Sequence, residues 1–225
     1  MRNIETWKSR YTVKEFTGKE IEPNDVEYLS EIFQYIPIQQ GMLNHFWLML
    51  GPEEQDFKTF LYENVFHVKD KSEHMYAVAS SPYVFLGVFH QQGLVGKDGK
   101  MSHVSTHESI INLGFHGGVL LTEALHLGYD VSQVACQEGI DKSRSEFNQR
   151  VRDFLSEEDV KKLMFHPARL HKAEFQPKLA ICIGKGLPLS SNANNTVIRD
   201  GLPARIGQKM KKTATNLVIR KSVNE

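Results

Sequence analysis

Arg10, Thr12 and Lys14 place two cations around a hydroxyl within five residues, with Tyr11 between them. This is a set for anion capture. Guanidinium and ammonium groups donate charge-assisted hydrogen bonds to phosphate oxygens. A solvated basic turn is the alternative, because cations are common on surfaces. The whole stretch, Ser9 to Phe16, reads Ser-Arg-Tyr-Thr-Val-Lys-Glu-Phe; Ile4 and Trp7 precede it and Gly18 follows it. A second candidate is the step Gln137-Glu138-Gly139, where glycine lets backbone approach a flat ring. The alternative there is an ordinary strand-to-helix turn with Asp141 as the helix cap. A third is the basic run Arg199, Arg205, Lys209, Lys211 and Lys212 near the C-terminus.

Other arrangements carry less. His103 and His107 stand four apart, a spacing used in zinc sites, but no His-Glu-x-x-His pattern and no third ligand accompany them. Cys136 has no neighbour that explains a lowered pKa, so core packing is the expected role. Gly96-Lys97-Asp98-Gly99-Lys100 lacks the Lys-Ser/Thr step and the glycine spacing of a phosphate loop and reads as a connection. No Gly-x-Gly-x-x-Gly follows a strand.

The pattern Arg10-x-Thr12-x-Lys14-x-Phe16 resembles the N-terminal signature of the FMN-dependent nitroreductase family. Leu127-Gly128 followed by Glu138-Gly139 is similar to a second family segment, and the resemblance runs from about Ile4 to Arg205. It implies that Arg10, with neighbours Tyr11 and Thr12, binds the phosphate and ribityl region of FMN. It implies that Lys14 lies near flavin N1/O2, and that Gln137, Glu138 and Gly139 bring a backbone N–H to N5. Lys14, Glu138 and Gly139 are then the catalytic candidates. Arg199 or Arg205 would close on the phosphate. The family's flavin-edge loop corresponds to Pro37-Ile38-Gln39-Gln40-Gly41-Met42-Leu43-Asn44-His45, which implies contacts from Pro37, Ile38, Gln39 and Gly41. The proline and the following strand match; most polar identities differ, so flavin contact by this loop stays open. The implied fold is α+β, a mostly antiparallel sheet flanked by helices, in a domain-swapped-type homodimer. The implied activity is NADH- or NADPH-dependent reduction of a small-molecule acceptor: a nitroaromatic, a quinone or an enone. A relative that has lost flavin and binds another ligand, and a flavin enzyme of another reaction type, remain as alternatives.

The elements that must position these residues are legible in outline. Glu22-Pro23-Asn24-Asp25 starts a helix, and Val26, Leu29, Ile32, Phe33 and Ile36 recur at helical spacing up to Pro37. Phe46 to Leu50 is a short strand stopped by Gly51-Pro52. Glu53 to Val65 and Val68 to Ala79 read as amphipathic helices. Pro82 to His90 is apolar on both faces, as a central strand is. A helix runs from a capping box at Ser105 and Glu108 to about Leu127, ended by Gly128. Its apolar residues cover almost the whole circumference, which predicts burial. Gly114, Gly117 and Gly118 each cost it roughly 1 kcal/mol relative to alanine, so close approach of another backbone is expected to offset them. A strand follows to Cys136. Ser156 to Asp159 caps another helix, Pro177 to Gly184 is a late strand, and Asn216 to Val223 has strand composition.

The 225 residues fit one domain, with 200–225 as a C-terminal extension that the resemblance allows to reach a partner subunit. Lys plus Arg and Asp plus Glu balance at 27 each, which argues against nucleic acid or an anionic membrane as partner. Two cysteines are too few for a disulfide framework, and no metal site is expected. With no charged-then-apolar leader and no long apolar run, a soluble cytoplasmic protein is expected.

Overall fold

The computed structural model describes residues 11–13, 15–36, 45–66, 76–91, 105–136, 143–162, 173–187, 196–199, 202–205 and 207–209. Its centre is an antiparallel sheet in the order β2-β3-β5-β4: β2 (His45–Leu50), β3 (Tyr83–Gln91), β5 (Glu174–Gly184) and β4 (Asp130–Ala135). Helices cover both faces. Alternation along β3 explains why it reads as apolar throughout. Val84, Leu86 and Val88 point to one core, while Phe85 points to the other. The first core is closed by α2 (Gln55–Asn64), α3 (Tyr76–Ser80), α5 (Arg144–Phe154) and α6 (Glu157–Lys162), through Phe57, Phe60, Leu61, Val78, Phe147, Val151 and Val160. The second is closed by α1 (Pro23–Glu31) and α4 (Ser105–His126), through Leu29, Leu120, Leu121 and Ala124. The α+β, mostly antiparallel expectation holds.

Pro177 lies inside β5, where a missing N–H would break a ladder. It sits opposite Val88, and the β3–β5 register shifts between Gly87 and Val88. The irregularity absorbs the lost donor.

Several boundaries differ from the sequence reading. The first helix ends as α-helix at Glu31 and tightens into a 3-10 turn over Ile32–Gln34, with Tyr35 N–H donating to Ile32 O at 3.0 Å. There Phe33 stacks on Trp47 at 5.3 Å, a contact that competes with continuing the helix. Of the Val68–Ala79 helix, only the part from Tyr76 lies among the described residues. Helix α5 was anticipated only as what would follow an Asp141-capped turn; its apolar residues Phe147, Val151 and Phe154 recur at helical spacing and pack on the first core. Its N-cap is Ser143, not Asp141. The Ser156 cap forms as read: Asp159 N–H donates to Ser156 Oγ at 3.1 Å, and Ser156 N–H donates to Asp159 Oδ2 at 3.0 Å.

The glycines of α4 divide. A Cβ on Gly117 would lie 2.8 Å from Leu179 Cδ2, so this residue lets the helix settle on the sheet. Its neighbours there are side chains rather than a backbone. Gly114 and Gly118 have nothing within 4 Å. They share the outer side of α4 with Ile111 and Phe115, which are 60% and 50% exposed. Within the chain, therefore, α4 is not buried all round.

Candidate functional site

The N-terminal stretch is held by backbone pairing at two places. Strand β1 (Tyr11–Val13) runs antiparallel to β8 (Gly207–Lys209), with Tyr11 opposite Lys209, Thr12 opposite Gln208 and Val13 opposite Gly207. Three residues later Phe16 bridges to Gly186, Thr17 N–H donates to Lys185 O at 2.8 Å, and Leu187 N–H donates to Glu15 O at 3.0 Å. Val13, Glu15 and Phe16 are buried. A solvated turn is not what forms here. Residues 11–13 and 15–17 lie against chain that follows the last strand of the central sheet.

The C-terminal candidates sit on a hairpin of β6 (Thr196–Arg199) and β7 (Leu202–Arg205). Arg199 pairs with Leu202 beside the hairpin turn, and Arg205 pairs with Thr196 at its open end. Arg205 is two residues before Gly207, which faces Val13. Two residues span at most about 7 Å, and paired strands are about 5 Å apart. The backbone of Arg205 thus stays within about 12 Å of β1.

Helix α4 ends as read. Gly128 adopts φ +82°, and Tyr129 N–H donates to Ala124 O at 2.9 Å, closing the last turn. Lys185 Nζ donates to Gly128 O and lies 4.9 Å over the Tyr129 ring, where a cation suits a helix C-terminus. Gly186 N–H donates to Asp130 Oδ2 at 2.9 Å. The exit of β5, the turn after α4 and the start of β4 are therefore one tied junction. Burial raises the Tyr129 pKa, and the bond its hydroxyl donates to Asp25 Oδ2, at 2.6 Å, adds to the rise. Strand β4 delivers the chain to Cys136, whose N–H donates to Lys178 O at 3.0 Å and whose side chain packs against the first core.

Arg10, Lys14, Pro37, Ile38, Gln39, Gly41, Gln137, Glu138 and Gly139 lie outside the described residues, as do His103, Asp141 and the segment 92–104. Their flanks are placed: Ile36 and His45 border the loop 37–44, and both are buried.

Sequence reasoning missed three buried polar groups. His45 on β2 and His116 on α4 are 2% and 4% exposed, with ring centroids 5.4 Å apart. None of their ring nitrogens, nor Trp47 Nε1 beside them, has a hydrogen-bond partner among the described residues. Burial pushes His45 down to about 4, with His116 and His90 adding to the shift; burial lowers His116 as well. The available signal was Asn112 and His116, polar residues four apart in an otherwise apolar helix. The third is Lys58, 1% exposed on α2. Its Nζ donates to Ser81 O at 2.9 Å and Pro82 O at 3.3 Å. Burial lowers its pKa, while Glu54 acts the other way.

Compared by sequence, the chain matches no family model and no curated protein. Compared by structure, it resembles a nitroreductase with bound FMN from Bacteroides fragilis, at TM-score 0.57, 12% identity, and coverage of 98% of this chain and 100% of that one. A nitroreductase with bound FMN from Desulfitobacterium hafniense gives TM-score 0.56 and 11% identity over 98% and 100% of the two chains. Nitroreductase A from Vibrio parahaemolyticus gives TM-score 0.54 and 10% identity over 88% and 75%. The fold is nitroreductase-like.

Proposed function

We propose that this chain is a single-domain flavin oxidoreductase that binds FMN and passes reducing equivalents from NADH or NADPH to a nitroaromatic, quinone or enone. One observation carries the reading. The N-terminal stretch bearing Arg10 and Lys14 and the C-terminal stretch bearing Arg205 meet through the β1–β8 pairing. Two basic segments far apart in sequence suit one dianionic phosphate.

In this reading Arg10 and Arg205 bind the phosphate, Arg205 being favoured over Arg199 by the short tether to β8. Tyr11 and Thr12 flank it. Lys14 places positive charge beside the pyrimidine edge, where charge grows on reduction. The N–H of Gly139, with Gln137 and Glu138 before it in the sequence, would orient the ring, and Pro37, Ile38, Gln39 and Gly41 would contact its edge. Bound FMN supplies hydride transfer, accepting from the nicotinamide and donating to the acceptor. No side chain of the protein is required as a nucleophile.

Arg10→Ala is expected to weaken FMN binding by about a hundredfold, the loss of a charge-assisted phosphate contact. Titrating the apoprotein with FMN measures it; a variant as yellow as the parent ends the phosphate assignment.

The reading includes a homodimer. The outer side of α4 supports it, because Gly114 and Gly118 leave room for a second backbone between Ile111 and Phe115. Phe115→Asp is expected to leave a folded monomer with impaired FMN retention. Sedimentation of parent and variant tests this, and a parent that sediments as a monomer refutes it.

The departures along Ile38 to His45 favour one second reading, a module that has lost flavin. Absorbance near ~450 nm in the purified protein separates the two.

A further inference from the structure

We propose that Lys58 is a positioning residue for the phosphate-binding stretch, acting from beneath it through the turn that joins α3 to β3. The proposal rests on the flavin reading above for its functional half. Fully buried lysines are rare, and those that occur are usually paired with acids. Among the described residues Lys58 makes no ion pair, Glu54 acting on it only at longer range. Its ammonium is spent on two backbone carbonyls, Ser81 O and Pro82 O. Gln55, one turn earlier on α2, donates from Nε2 to Ala79 O at 2.9 Å. Two side chains of α2 thus hold the last turn of α3, through Ala79 O, and the turn after it, through Ser81 O and Pro82 O.

That turn is where the N-terminal stretch is seated. Phe16 N–H donates to Ser80 Oγ at 3.0 Å. Ser81 Oγ lies 2.8 Å from Ile183 O and 2.7 Å from Tyr83 O, fastening the turn to β5. A Cβ on Gly184 would be 2.7 Å from Pro82 Cδ and 3.0 Å from Phe16 Cδ1, so Pro82 and Phe16 both pack against Gly184. A shift of Ser81-Pro82 therefore moves the seat of Phe16. Phe16 is two residues from Lys14 and six from Arg10 in the sequence, and between them the described residues Tyr11–Val13 are held by pairing with β8. The path is contiguous: ammonium, carbonyls of the turn, Ser80 hydroxyl, Phe16 amide, basic stretch. A purely stabilising lysine would need none of the last three contacts.

The test compares Lys58→Met, which removes the donors, Lys58→Gln, which keeps two N–H donors without the charge, and Val151→Ala, a truncation elsewhere in the same core. All are studied as full chains well below their own melting temperatures. Lys58→Met is expected to weaken FMN binding by about tenfold, and to speed amide hydrogen exchange at Phe16, Thr17 and Leu187 relative to the β3–β5 ladder. Lys58→Gln should recover most of both effects. Val151→Ala should lower the melting temperature without either. FMN affinity unchanged in Lys58→Met, or lost equally in Val151→Ala, overturns the proposal while leaving the flavin reading intact. A parent that binds no FMN overturns the flavin reading itself.

Discussion

Lowering the pH from 7 to 4 is expected to remove about 3 kcal/mol of stability through His45 alone. The folded protein holds His45 down to about 4, against about 6.5 in the unfolded chain. The unfolded state therefore binds the proton first. Stability is fully present above the unfolded value, falls as the pH drops through it, and is spent by the time His45 protonates in place. His116 is shifted in the same direction and adds to the loss. The cause is geometric. Two imidazoles 5.4 Å apart share a buried interface between β2 and α4, and a charge on either would be desolvated and would repel a charge on the other. Phe33 and Trp47 flank the pair, and His90 on β3, whose ring packs on Phe46, adds electrostatically to the shift at His45. Denaturant unfolding of the parent and His45→Leu across this range provides the measurement. Carboxylates contribute alike to both proteins, so the difference isolates the imidazole. Parallel pH profiles would defeat the prediction.

Gly117→Leu is expected to cost more than about 3 kcal/mol, whereas Gly118→Ala, one residue on, is expected to add up to about 1 kcal/mol to the folding of the isolated chain. Both changes relieve the same helix penalty, so propensity does not separate them. Position does. A Cβ on Gly117 meets Leu179 at 2.8 Å and comes within 3.6 Å of Trp47, both seated in the second core. A leucine there has to lift α4 from the sheet, disturbing the surface that also carries His116. Gly118 faces open space. Thermal unfolding of the two variants decides it. Equal melting temperatures would mean that α4 does not rest on Leu179.

Much of the architecture could be read one-dimensionally. The β3 strand announced itself because apolar residues on both faces require a cover on both faces, and α1/α4 and α2/α3/α5/α6 supply one each. The end of α4 was legible because a glycine at a helix terminus has a specific use, the left-handed turn at Gly128. Helix α5 was not read as an element of its own, because its apolar stripe of Phe147, Val151 and Phe154 stands among five charged residues. The candidate site was legible as residue types: two basic segments and a glycine step. Lys58 and His45 were invisible as site or scaffold, because nothing local distinguishes a buried lysine or histidine from a solvated one; His116 carried only its spacing from Asn112 as a signal.

What the sequence alone determined were local matters: where helices begin and end, which strands lie inside the sheet, and that cations gather near both termini. Those follow from backbone preferences and side-chain periodicity, which act over a few residues. Tertiary structure decided the rest. It set β1 against β8, put one glycine of α4 against the sheet and left two facing outward, and buried an ammonium under the seat of Phe16. Each depends on which surfaces meet between segments that are 23 or more residues apart in the chain. That choice is made by close packing and the pairing of buried polar groups, which periodicity does not encode.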